Sequence, residues 1–150
     1  VVMELDKNFK FRLQKVLDLK IKDEEEIKME FAKIQQKKID IETNLENLES
    51  NYSKYSISKN NDNVQNQKIT INYLLALNNS IMDLSEELDK STNELEKARK
   101  QLISKQIERK SLEKLKEKKY GQYYKEEQLK EQSTNDEFAS MSYLRNRQVL

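Results

Sequence analysis

Seven tyrosines, at positions 52, 55, 73, 120, 123, 124 and 143, are the residues of this chain best suited to recognition chemistry. Their rings could stack nucleic-acid bases, or they could serve a protein interface, where aromatic residues are enriched. A nucleic-acid partner is normally announced by a basic excess, and 28 basic against 27 acidic residues leave a formal net charge of only +1. The protein interface is therefore the better reading, with no nucleic-acid partner. The carboxylates are numerous, but histidine and cysteine are absent and no EF-hand loop pattern occurs. The commonest general base, the commonest metal ligand and all thiol chemistry are thereby removed. A single glycine, Gly121, rules out a phosphate-cradling glycine loop. The Lys116–Lys119 run reads as a solvated helix face, and Asn51-Tyr52-Ser53 matches a glycosylation sequon by chance. No enzyme, no cofactor and no metal site are expected.

The elements that position these tyrosines must be helices. Charged residues make up 37% of the chain and hydrophobic residues 35%, with no proline, so the residues that make tight turns are nearly missing. Ile27, Phe31, Ile34, Lys38, Ile41, Leu45, Leu48, Tyr52 and Tyr55 follow alternating steps of four and three, the a/d spacing of a heptad. Upstream the frame passes through Leu13, Leu17, Lys20 and Glu24. A second seam runs Leu74, Leu77, Ile81, Leu84, Leu88, Ser91, Leu95, Ala98, Leu102, Lys105, Arg109 and Leu112. Between the seams, Ser58–Gln67 (SKNNDNVQNQ) loses apolar periodicity and gathers Asn and Asp, which cap helices and tolerate turns.

The predicted fold is therefore all-α: two long helices forming an antiparallel coiled-coil hairpin, the second longer and overhanging. A single domain over 1–150 is expected, with helix 1 over about 5–57, a turn over about 58–68 and helix 2 over about 69–146. In an antiparallel pair the numbers of facing residues share a constant total. A total of 129 sets Ile34 on Leu95, Ile41 on Leu88, Leu45 on Leu84 and Leu48 on Ile81, and pairs Lys38 with Ser91 and Glu24 with Lys105. Sliding one heptad, to 122, sets Lys20 on Leu102 and Leu17 on Lys105, leaving polar groups poorly solvated. Residues beyond about Tyr120 then overhang as a single helix, which is marginal alone in water. The exposed tyrosines there, with Phe138, Met141, Tyr143 and Leu144, suggest docking on a partner. No long apolar run could span a bilayer and no apolar secretory segment is evident, so a cytosolic protein is the simplest expectation.

Both ends of the chain resemble a known family. The stretch Phe9-Lys10-Phe11-Arg12-Leu13-Gln14-Lys15-Val16-Leu17-Asp18-Leu19-Lys20 is similar to the start of the FliJ family of bacterial flagellar export proteins. LEKLKEKKY at 112–120, KEEQLKEQ at 125–132, Asp136-Glu137-Phe138-Ala139 and Tyr143-Leu144-Arg145 fit its closing region, in order and at the family's usual length. Gly121 departs from the pattern, since a helix former is expected there.

The resemblance implies a component of the flagellar type III export apparatus at the cytoplasmic face of the inner membrane, held there through the apparatus without inserting into the bilayer. It implies a stalk that enters the ring of the export ATPase FliI, binds the export gate protein FlhA and escorts export chaperones. The family's gate-binding patch maps onto Leu45, Leu48, Tyr52, Tyr73, Leu77, Ser80 and Leu84, most of which also belong to the seams. The ATPase-ring contact maps onto Phe9, Phe11, Arg12, Leu13, Leu17, Phe138, Tyr143 and Arg145. The alternative reading of the residues alone is a self-associating coiled-coil scaffold built by the same seam in trans.

Overall fold

The computed structural model of the protein describes residues 7–58 and 63–149. Helix α1 spans Gln14–Ser58 and helix α2 spans Val64–Gln148. They pack against each other as a helical hairpin, and no strand occurs among the described residues. The chain divides into two compact units, one of residues 1–22 with 106–150 and one of residues 23–105.

In the 23–105 unit the heptad pattern becomes the core directly. Ile41, Leu74, Leu77, Leu95 and Ala98 are buried, and Ile27, Phe31, Ile34, Leu45, Leu48, Ile81, Leu84 and Leu88 are half-buried between them. A seam one residue wide on each helix cannot enclose all of its side chains fully. The half-buried ones contribute less than the roughly 1.5–3 kcal/mol of a fully buried aliphatic residue, and stability accumulates with length. Two polar residues, Glu24 and Ser91, are also buried here. Lys38 reaches Glu42 of its own helix, with Nζ 3.7 Å from the carboxylate.

The register follows the longer of the two totals considered. Tyr55 meets Tyr73 edge-on with ring centroids 5.0 Å apart, and their numbers total 128. Within the other unit, Lys20 Nζ lies 2.9 Å from Glu108 Oε2, again totalling 128, and Phe9 meets Tyr120, totalling 129. The heptad slide to 122 is incompatible with all three.

Two helix boundaries differ from the sequence expectation. Helix α1 starts at Gln14 and not near residue 5: residues 7–13 are turn and irregular chain. Gln14 N–H donates to the Phe11 carbonyl at 3.1 Å, and Leu17 N–H to the Leu13 carbonyl at 2.9 Å, which opens the helix. The cause is a period of two. Phe9, Phe11 and Leu13 are half-buried while Lys10 and Arg12 are exposed, an alternation that a helix does not produce. A helix would place alternate residues roughly 200° apart and could not bury all three on one side.

Helix α2 starts at Val64 and not near 69, because Asn63 caps it. The Asn63 side-chain Oδ1 accepts from Asn66 N–H at 2.9 Å, and its carbonyl accepts the first α-helical bond, from Gln67 N–H at 2.9 Å. Residues 59–62 of the expected turn lie outside the described residues.

Candidate protein-docking sites

In the unit of residues 1–22 with 106–150, the non-helical segment before α1 packs against α2. The Phe9 ring stands edge-on to Tyr120 with centroids 5.2 Å apart and an interplanar angle of 75°. It also lies 5.4 Å from Tyr123. Beside this aromatic latch runs a groove with Phe11, Leu13, Leu115 and Tyr123 as its apolar bed and Arg12 and Lys119 among its charged borders. Leu17 is buried and closes the seam below. Four of the residues assigned to an ATPase contact (Phe9, Phe11, Arg12 and Leu13) are thus gathered at one groove.

Phe138, Tyr143 and Arg145 do not join that groove. Every described residue from Tyr124 to Val149 is exposed, with Phe138 at 65% and Tyr143 at 67% of full exposure. Phe138 lies fifteen residues past Tyr123, about 22 Å further along the helix. The overhang is therefore a second surface of the same unit. Gly121 stands just before it with negative φ, inside the continuous helix α2.

Two cations of the seam in this unit gain partners from α2. Lys20 bonds Glu108. Arg109 Nη1 donates to both carboxylate oxygens of Glu113, at 2.8 and 2.9 Å. The register opposes Lys20 to Arg109, and these two carboxylates neutralise what would otherwise be a repulsive layer.

The residues assigned to an export-gate contact lie in the 23–105 unit and are unequally accessible. Leu77 is buried, and Leu45, Leu48 and Leu84 are half-buried. Tyr52, Tyr73 and Ser80 are exposed. A shallow groove joins Tyr52 to Ile71, Leu74, Leu75 and Asn78. Ile71, Leu75, Asn78 and Met82 form a second stripe with steps of four, three and four beside the seam of α2, and its three apolar members are exposed. This stripe lies outside the heptad positions, although its spacing marks a second apolar line on the helix.

Among the described residues, no group of three or more potential ligands could hold a metal ion, and no helix is long and apolar enough to cross a membrane.

These features define a helical-hairpin protein built on a coiled-coil seam, with exposed apolar side chains at the overhang and beside the seams. A family model, flagellar FliJ protein, matches residues 9–148. The chain belongs to that family and is a component of flagellar protein export. No curated protein and no solved structure matches it.

Proposed function

We propose that the chain is the coiled-coil stalk of the export apparatus, engaging the ring of the ATPase FliI, the cytoplasmic part of the export gate FlhA and the export chaperones. The ring contact uses two surfaces, the Phe9–Tyr123 groove and the overhang bearing Phe138, Tyr143 and Arg145. Arg12 and Arg145 supply charge-assisted hydrogen bonds, and the aromatic residues supply buried area. The gate contact uses Tyr52, Tyr73 and Ser80 with the outer edges of Leu45, Leu48 and Leu84. Leu77 supports them from beneath. The protein acts at the cytoplasmic face of the inner membrane through these partners and has no catalytic part.

The observation that carries the reading is the overhang. A soluble helix with nothing beside it has no reason of its own to display Phe138, Met141, Tyr143 and Leu144, whereas a segment inserted into a ring requires such groups. Deleting residues 136–150 should leave the helical content of the hairpin nearly unchanged and abolish stimulation of the partner ATPase. Pull-down on the gate linker should survive. Full ATPase stimulation by the truncated chain would overturn the stalk reading.

A further inference from the structure

The near-zero net charge conceals a strong segregation. Residues 40–89 contain nine Asp and Glu but only three Lys, so the remainder of the chain carries a basic excess. Helical spacing sorts much of this charge into two outer stripes. On α2, Ile107, Lys110, Lys114, Lys118, Gly121 and Lys125 follow steps of three, four, four, three and four, on the side opposite the seam of Arg109, Leu112 and Lys116. All six are exposed. None of the four lysines has an ion-pair partner among the described residues. On α1, Ile39, Glu42, Glu46 and Glu49 follow steps of three, four and three along one flank. Ile39 is 46% exposed, and only Glu42 is engaged, loosely, by Lys38 at 3.7 Å.

We propose that these two stripes are complementary halves of a contact between copies of this chain. Set antiparallel, with a single constant total of residue numbers, they bring Glu46 onto Lys114 and Glu42 onto Lys118. One residue from the same line, Glu49 meets Lys110. The same alignment lays Ile39 on Gly121. A Cβ added at Gly121 would meet nothing within 4 Å, so the protein's own packing does not demand a glycine there. It is instead an open notch in the outer face of α2, in line with the lysines, where a neighbouring helix and its isoleucine can approach closely.

Charge and shape are thus carried by independent residues and agree on one alignment. The stripes are different surfaces, so the contact is heterologous: each copy that joins by one stripe keeps its other stripe free, and the assembly still offers one stripe of each kind. Opposed lysine and glutamate ladders also make the association strongest at low ionic strength. The contact uses neither the seams nor the residues assigned to the ATPase, and it does not depend on that assignment.

The test is sedimentation velocity of the full chain over a wide concentration range at low and high salt. The wild-type chain should grow in mass with concentration at low salt and return to monomer at high salt. K110E/K114E/K118E and E42K/E46K/E49K should each remain monomeric, since each sets like charges on both stripes. An equimolar mixture of the two should associate again, because every stripe in one variant then finds its opposite in the other. G121L changes no charge and cannot weaken the helix, yet it should fill the notch and reduce association at least tenfold. A wild-type chain that stays monomeric throughout at low salt would overturn the proposal. So would variants that associate like wild type, or a mixture that fails to associate.

Discussion

Phe9 and Tyr120 are 111 positions apart in the chain, yet their rings meet edge-on at 5.2 Å. This contact, with that to Tyr123, anchors the non-helical segment in front of α1. Residues 7–13 make few backbone hydrogen bonds of their own, so side-chain contacts must hold them. Aromatic pairs contribute roughly 0.5–1.5 kcal/mol each beyond their buried area. Phe9→Ala should therefore release the segment while leaving the seam intact. Amide exchange should accelerate many-fold over residues 8–13 and remain unchanged around Ile41 and Leu95. Unaltered exchange in the segment would show that Phe9 does not anchor it.

The register makes a second prediction. Leu45 and Leu84 are facing seam positions at the total of 129 and both are half-buried, and facing positions are the ones a disulfide can join. Leu45→Cys with Leu84→Cys should oxidise quickly to an intramolecular disulfide. Leu45→Cys with Leu77→Cys, the pair of the slid register, should oxidise slowly or only between molecules. The reverse order of rates would show that the helices pair one heptad away.

The seams were legible in the sequence because a two-helix interface has only one side to hide, and the alternation of four and three maps onto it position by position. From Leu74 to Leu112 every residue of the second seam is buried or half-buried. The start of α1 was misread because Phe9 to Leu13 combine residues that helices tolerate well. The contrary signal, strict alternation of apolar and charged residues, spans only five positions. The start of α2 was obscured by abundance: Asn60, Asn61, Asp62 and Asn63 are all competent caps, and sequence alone does not choose among them. The docking surfaces were legible only in part. Leu77 satisfies a family pattern and a seam pattern at once, and its burial is what the seam pattern requires. The carboxylates that neutralise Lys20 and Arg109 stand outside the a/d positions, so a reading confined to the seam could not pair them.

Ser91 supports a stability prediction. It is 2% exposed, the most deeply buried side chain described, and its hydroxyl has no hydrogen-bond partner. The residue facing it, Lys38, turns its ammonium toward Glu42. A buried polar group left unsatisfied costs about 1–3 kcal/mol, and alanine removes that group while vacating very little volume. Ser91→Ala should raise the midpoint of urea unfolding, by about 1 kcal/mol of stability, with an unchanged m-value. A lowered midpoint would mean that the hydroxyl has a partner, such as a bound water, that is worth more than its desolvation.

Gly121 gives the last prediction, which concerns the junction between paired and unpaired helix. Its backbone is helical, with no positive φ that an L side chain would resist, and its added Cβ would meet no atom within 4 Å. Nothing in the monomer therefore opposes alanine, while glycine in a helix interior costs about 1 kcal/mol relative to alanine. That cost falls where the helix is least able to absorb it. Tyr120 and Tyr123 still have Phe9 beside them, but from Tyr124 onward every described residue is exposed and only intrahelical bonds and pairs such as Lys130–Glu127 remain. Opening of the overhang should begin at this glycine, since an isolated helix is near its limit of stability in water. Gly121→Ala should slow amide exchange over about residues 122–130 by roughly fivefold, the equilibrium factor for about 1 kcal/mol. The main thermal transition, set by the seam, should hardly move. Exchange that stays the same or quickens in the overhang would show that its opening is not governed at Gly121.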